Sequence, residues 1–162
     1  MKVTFDDFIK TVDGDHLEFV KEMHVSLLNS GCKLEIKESK KRYIITYSYI
    51  THKKRVALLN YVFLKKGMMV RIYARNIRLY QSFMNSLPDD MKQSVMKANH
   101  CKRLMGTDAC SPTCTANYHF MMDGVIYKKC KMYAFFWKVE MESMEYIKKM
   151  LVKELSFIQT DE

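Results

Sequence analysis

Four of the five cysteines in this chain lie within thirty residues, at the spacing C-x8-C-x3-C-x15-C. These four are Cys101, Cys110, Cys114 and Cys130. Cysteine thiolates are soft ligands that suit tetrahedral zinc, although this spacing is not one of the standard finger spacings. The cysteines sit in a long polar loop whose apolar content is too low to order it, so a metal would act as a clamp. The pattern predicts zinc bound by these four cysteines. His100 and His119 are substitute ligands if one of the cysteines cannot reach the ion.

Two other interpretations of the same cysteines remain open. Cys110 and Cys114, separated by Ser-Pro-Thr, would converge around a tight turn and act as a redox-active pair. Alternatively, all four are structural thiols without a ligand. A four-cysteine zinc site is coordinatively closed and favours a structural role. The chain also carries no P-loop, dinucleotide fingerprint, nucleophile elbow or HExxH motif, so we favour a protein that is not an enzyme.

The cysteine count and the apolar pattern together predict a cellular compartment. Five acidic residues within the first twenty argue against a signal peptide, and no apolar run approaches the length of a membrane span. An odd number of cysteines fits disulfide pairing poorly. We therefore expect a cytoplasmic protein, with reduced thiols and no membrane partner.

The net charge of +9 is concentrated in one segment. Residues 31–78 carry thirteen basic and two acidic residues, a local charge of +11, whereas residues 1–30 and 140–162 are both acidic. Such a segment attracts phosphate, acidic proteins or anionic small molecules, and we expect nucleic acid or another anionic partner. The residues predicted to bind an anion are Arg71, Tyr73, Arg75, Lys53, Lys54 and Arg55. The alternative is that these cations only keep the turns and the wet face of a sheet solvated.

Arg71, Tyr73 and Arg75 alternate with Met68, Val70, Ile72 and Ala74 along one predicted strand. If the apolar set faces the core, the other set forms an exposed basic and aromatic face. Aromatic rings beside arginines stack bases and grip phosphates. This alternation is the basis for the predicted anion-binding face.

The periodicities predict a single α+β domain over residues 1–162. A short helix and a second amphipathic helix precede a three- or four-strand antiparallel meander between Leu34 and Arg75. A helix over Leu79–Leu87 ends before Pro88, and the next helix is expected to run on to Cys101. A hairpin around Asp123-Gly124, a further β run and a C-terminal helix complete the order.

The Asp-Gly turn fixes a register for the hairpin. If Met122 faces Val125, then Phe120 faces Tyr127 and Asn117 faces Cys130. This register brings Cys114 close to Cys130 and puts His119 on the same face as Cys130, one diagonal position away. We expect Cys101 to approach from the last turn of its helix.

Several short motifs resemble an uncharacterised family of small bacterial proteins. These motifs are Asn60-Tyr-Val-Phe63, Val70-Arg-Ile-Tyr73, Leu87-Pro88, Cys101-Lys-Arg-Leu104, Cys110-x-Pro-x-Cys114, Tyr118-x-Phe120 and Tyr127–Phe135. The resemblance covers most of the chain from residue 50 onward, and the cysteine pattern is its most specific part. No activity is assigned to that family, so the resemblance implies no function. The order of elements is also similar in outline to the small α+β YjbR- and TfoX-like proteins, some of which are linked to DNA binding or regulation, and this implies only an analogy of fold.

Overall fold

Four consecutive strands form an antiparallel meander, as the alternation of the sequence predicts. The computed structural model describes residues 2–40, 42–106, 110, 114 and 117–158. The meander strands are β1 (Lys33–Glu38), β2 (Tyr43–Thr51), β3 (Lys54–Leu64) and β4 (Gly67–Ile72). A short later strand, β7 (Phe136–Lys138), pairs with β4, so the strand order across the sheet is β1-β2-β3-β4-β7. The β run after the hairpin therefore extends this main sheet.

Helices cover one face of the main sheet. They are α1 (Phe5–Ile9), α2 (Gly14–Asn29), α3 (Asp89–Lys97) and α4 (Met141–Phe157). Thr4 caps α1 with a reciprocal pair of hydrogen bonds to Asp7. The α+β class predicted from the sequence is confirmed.

Alternation along the strands decides what enters the core. Met68, Val70, Ile72 and Ala74 of β4 and its extension are all buried on the helix side, as predicted. Tyr61 of β3 lies at the centre of this layer, with its ring centroid 6.1 Å from that of Phe8 and 6.4 Å from that of Tyr47. The core of the main sheet thus contains aromatic rings from α1, β2 and β3 in contact with one another.

A separate two-stranded sheet follows, made of β5 (Asn117–Met122) and β6 (Val125–Cys130). Asp123 and Gly124 form its turn with φ values of 49° and 78°, which an Asp-Gly pair adopts readily. Their strands pair Met122 with Val125, Phe120 with Tyr127 and Asn117 with Cys130. The register predicted from the turn is therefore confirmed.

Polar contacts anchor this hairpin to the rest of the domain. Lys92 of α3 forms an ion pair with Asp123 at 2.8 Å. The backbone amide of Asp123 donates to Asn85 Oδ1 at 2.7 Å, and that of Met121 donates to Gln81 Oε1 at 2.9 Å. The hairpin turn is thus fixed against the segment that precedes α3.

Two helix predictions are wrong in detail. The chain over Leu79–Leu87 forms two 3₁₀ helices, Ile77–Leu79 and Gln81–Ser86, instead of an α-helix. A three-residue period suits this segment because it buries Ile77, Tyr80 and Phe83 on one side. Further along, α3 ends at Lys97, so Cys101 does not lie on a helix.

No helix in the part of the chain that the structure describes is both long and apolar enough to cross a membrane.

Candidate metal centre and basic surface

Cys101 and Cys130 lie on neighbouring extended segments. His100 pairs with Lys129 in an antiparallel bridge, the Cys101 amide donates to Lys128 O at 2.9 Å, and the Cys130 amide donates to Asn99 O at 2.9 Å. The segment Asn99–Cys101 therefore pairs with β6 on the side opposite to β5. Because side chains alternate along extended backbone, Cys101 and Cys130 lie on one face of this ribbon, in diagonal positions.

Each of these two cysteines also begins a turn. The amide of Met105 donates to Cys101 O at 3.0 Å, and the amide of Ala134 donates to Cys130 O at 3.0 Å. The chain thus leaves the ribbon at both cysteines. Metal-binding cysteines commonly occupy such positions, because a turn lets a second thiol approach the first.

All four cysteines of the predicted cluster line one pocket of about 600 Å³. Cys101 is buried, Cys114 and Cys130 are half-buried, and Cys110 is exposed. Cys32 is buried elsewhere, in the core of the main sheet, and burial raises the pKa of its thiol to about 11. The structure therefore brings together the four cysteines that the spacing selected and leaves out the fifth. We call this hollow the thiol pocket.

The thiols are not in ligand geometry. Among the described residues, no three His, Cys, Asp or Glu side chains are close enough together to hold a metal ion. Zinc needs each sulfur about 2.3 Å from the ion. The Ser-Pro-Thr turn predicted between Cys110 and Cys114 lies outside the described residues. Zinc binding stays a prediction, and it requires the walls of the thiol pocket to close.

The two substitute ligands occupy different places. His100 lines the thiol pocket. His119 pairs with Lys128, so it shares the outer face of the hairpin with Cys130 as predicted, but it lines a second hollow beside Met105 and Ile126. Since His100 lines both hollows, it is the better placed of the two substitutes.

Lys129 lies behind the thiol pocket and does not line it, but it supports the walls, and the sequence analysis missed it. Its side chain is fully buried, and its ammonium donates to Met96 O and Ala98 O, both at 2.8 Å. These carbonyls belong to the last turn and the C-cap of α3, where a cation is favourable. The predicted hairpin register could have revealed this burial, because it pairs Lys129 with the core-facing Tyr118.

The contacts of Lys129 explain why α3 stops early. Once its ammonium satisfies the final carbonyls, the helix gains little by continuing, and Ala98 turns to extended backbone with ψ 152°. Asn99–Cys101 is then available to pair with β6. One buried lysine thus joins three walls of the thiol pocket: α3, the segment Asn99–Cys101 and β6.

The described charges that line the thiol pocket are positive. Lys97 and Lys102 line it, and no Asp or Glu among the described residues does. Burial lowers the pKa of Lys129, yet two carbonyl acceptors favour its ammonium form. Arg103 also donates to Cys114 O at 2.7 Å and so fixes that end of the loop. A zinc ion with four thiolates carries a formal charge of −2, which these cations would offset.

The structure corrects the predicted exposure of the anion-binding face. Tyr73 is buried, with 8% of its surface exposed, and its hydroxyl lies 3.8 Å from Met132 Sδ. Arg71 is half-buried, and its Nε donates to Met132 O at 2.8 Å. Its guanidinium also lies 4.6 Å above the ring of Phe136. The chain between β6 and β7 covers this face, which the strand pattern alone does not reveal.

The remaining predicted cations lie at one end of the sheet. Arg75, Lys54 and Arg55 are exposed, and Lys53 lies in the turn between β2 and β3, with φ 61°. Arg75 lies beyond the end of β4, which runs antiparallel to β3 with Ile72 opposite Leu59. Arg75 therefore comes close to the start of β3. Anion binding by these four cations stays a prediction.

Comparison with protein-family models, with curated proteins and with solved structures finds no match to this chain. The resemblance to the uncharacterised bacterial family and the outline similarity to YjbR- and TfoX-like proteins therefore stay predictions. Function is therefore inferred from the chemistry of the site residues.

Proposed function

We propose that this chain is a non-enzymatic binding module of the cytoplasm, in which the thiol pocket holds one zinc ion. The zinc would clamp the loop between α3 and β5. One observation carries this proposal: Cys101, Cys110, Cys114 and Cys130, selected by spacing alone, line the same pocket. Four thiolates would close the coordination sphere and leave no open position for a substrate, which fits a structural ion.

Zinc binding would contract the thiol pocket. Cys101 and Cys130 are held by backbone pairing with each other's strands, so they form the fixed half of the site. Cys110 is exposed and would have to move inward to reach them. The binding energy of the metal would then stabilise the closed loop, since ligand binding to the folded state is folding free energy.

Competition with a chromophoric zinc chelator tests this site. Wild-type protein and the Cys32→Ala variant should each take up one zinc per chain, because Cys32 lies in the core of the main sheet. Cys110→Ala and Cys130→Ala should lose the metal to the chelator. Cys110 is exposed, so its substitution leaves the fold intact and is the cleaner variant. Equal zinc binding by all four proteins would contradict the proposal.

The exposed cations at the β2–β3 end of the sheet support a second part of the proposal, an anionic partner such as nucleic acid. Lys53, Lys54, Arg55 and Arg75 would meet phosphates there. The logarithm of the binding constant for a short DNA duplex or RNA strand should then fall steeply and linearly with the logarithm of salt concentration, because binding releases condensed cations. A binding constant that does not depend on salt concentration, or no binding at low salt, would contradict the proposed anionic partner.

A second candidate function is a thiol redox protein that uses Cys110 and Cys114. The exposure of Cys110 favours it, since an accessible thiol reacts with an oxidant first. The two thiols would give up two protons and two electrons to oxidised glutathione, forming one disulfide while glutathione is reduced to two thiols. Faster alkylation of Cys110 than of Cys130, and its loss after oxidation, would favour this candidate. Slow alkylation at equal rates would exclude it.

A further inference from the structure

The basic segment builds a second charged site, at the end of the main sheet opposite to Lys53, Lys54 and Arg55. We propose that this hollow binds the phosphate group of a small molecule. Its volume is about 480 Å³, in the range of small-molecule sites. Its lining residues are Asp13, His16, Arg42, Phe63, Leu64, Lys65, Lys66, Gly67 and Met68. We call it the cationic hollow.

The strand order places these cations together. β2 and β3 run antiparallel, with Ile44 opposite Val62, so the start of β2 lies beside the end of β3. Arg42 comes directly before β2, and Lys65 and Lys66 come directly after β3. The start of α2 adds His16 to the same place. Cations from two separate parts of the chain, together with His16 from a third, therefore converge on one concavity.

Two contacts hold Arg42 in place. Its Nη1 donates to Thr11 O at 3.1 Å, and its guanidinium carbon lies 5.2 Å from the centre of the Phe63 ring. An arginine fixed in this way loses less conformational entropy when it grips a phosphate. Phe63 and Met68 also give the cationic hollow an apolar wall, against which the organic part of a phosphorylated ligand would pack.

The net charge of the cationic hollow is positive, which favours a bound anion. Arg42, Lys65 and Lys66 contribute +3 and Asp13 contributes −1, which leaves +2 with His16 neutral. In the described part of the chain, neither Lys65 nor Lys66 takes part in an ion pair. The Asp13 side chain makes no hydrogen bond to the first turn of α2, so it competes with a bound anion as an uncommitted like charge. A phosphate dianion would neutralise the hollow.

A concave site with an apolar wall fits a small ligand better than a nucleic-acid backbone, which needs an extended groove or stripe of cations. The inference goes beyond the proposed function, because it adds a second anion site to the basic segment. This site is separate from the proposed contacts of Lys53, Lys54, Arg55 and Arg75 with nucleic acid. It is independent of zinc binding in the thiol pocket.

Isothermal titration with inorganic pyrophosphate tests the site through two matched double variants. Lys65→Gln with Lys66→Gln removes two charges from the cationic hollow. Lys33→Gln with Lys153→Gln removes two exposed charges that lie outside both the cationic hollow and the predicted anion-binding face. We expect the first pair to weaken binding about tenfold or more, since a charge-assisted hydrogen bond contributes roughly 1.5–3 kcal/mol. The second pair should leave binding within about twofold, because distant exposed charges are screened.

A gain-of-affinity variant separates a binding role from a structural one. Asp13→Asn keeps the size of the side chain at the N-cap position of α2 and removes the competing charge, so pyrophosphate should bind more tightly. Asp15→Asn, in the first turn of the same helix but not lining the hollow, should have a smaller effect. Such a gain cannot come from damage to the fold.

Three results would overturn the inference: no binding of pyrophosphate at low salt, equal weakening by both double variants, or no gain from Asp13→Asn. The protein could bind nucleic acid but not pyrophosphate, and lose nucleic-acid binding in a Lys54→Gln, Arg55→Gln double variant. That result would support the proposed nucleic-acid partner and exclude the cationic hollow as a phosphate site. If the protein binds pyrophosphate but no nucleic acid, the cationic hollow is supported as a phosphate site and the nucleic-acid partner is excluded.

Discussion

The main sheet and the thiol region are held together by different physical means. The sheet buries a continuous apolar layer, with Tyr47, Tyr61 and Ile72 almost fully inaccessible. The thiol region is organised by backbone pairing, by turns that begin at Cys101 and Cys130, and by the carbonyl contacts of Lys129. Apolar burial is non-directional and additive, whereas these polar contacts depend on a few exact partners.

This difference has a consequence for function. A region held by a few polar contacts opens and closes at lower free energy than an apolar core. The thiol pocket is therefore the part of the molecule where binding of an ion would change the structure most.

The largest effect is expected in the sheet core. Tyr61→Ala should lower the free energy of unfolding by about 3–5 kcal/mol, because it leaves a cavity among aromatic rings. Tyr61→Phe keeps the ring and removes a buried hydroxyl that has no hydrogen-bond partner among the described residues. It should leave stability unchanged or raise it by about 1 kcal/mol. Urea unfolding of both variants measures this, and a Tyr61→Phe loss as large as that of Tyr61→Ala would show that the hydroxyl is bonded.

An intermediate effect is expected at Lys129. Lys129→Met should cost about 2 kcal/mol, because two carbonyls lose a charged donor. It should also weaken zinc binding by loosening the walls of the thiol pocket. Lys128→Met, on the outer face of the same strand, should cost less than about 0.5 kcal/mol. Urea unfolding measures the loss of stability, and the zinc competition assay measures the loss of zinc affinity. Equal losses in the Lys129→Met and Lys128→Met variants would contradict the structural role of Lys129.

The smallest effect concerns a buried acid between α4 and the first 3₁₀ helix. Glu154 accepts hydrogen bonds from Tyr80 Oη at 2.6 Å and from the Asn76 amide at 3.1 Å, yet burial raises its pKa above 4.5. The folded state therefore holds this proton more tightly than the unfolded chain does. The contribution of Glu154 to stability is most favourable below pH 4.5 and declines as pH rises through its raised pKa.

Glu154→Gln isolates this contribution, because glutamine keeps the shape and an acceptor without titrating. The stability of the wild type minus that of Glu154→Gln should decline as pH rises from below 4.5 towards neutrality. Urea unfolding of the two proteins across that range gives the difference directly. A constant difference, or one that increases with pH, would contradict the raised pKa.

Local patterns predicted the parts of the molecule that local rules control. The two-residue alternation placed Val70 and Ile72 in the core, and the Asp-Gly turn set the hairpin register that pairs Asn117 with Cys130. Both follow from the geometry of neighbouring residues on a strand.

Long-range contacts decided what the sequence could not predict. The end of α3 depends on the ammonium of Lys129, more than thirty residues further along the chain. Tyr73 is buried because the turn around Met132 folds over it. The convergence of Arg42 with Lys65 and Lys66 follows from strand order and from the position of α2, neither of which any single stretch of sequence contains.

Native mass spectrometry of freshly purified protein tests the central claim most directly. Its mass under native conditions is compared with the denatured mass and with a count of reduced thiols. The account predicts one zinc per native chain and five reduced thiols after denaturation, with the zinc lost in Cys110→Ala and kept in Cys32→Ala. No bound metal together with two missing thiols would contradict the zinc clamp and assign the thiol pocket to redox chemistry.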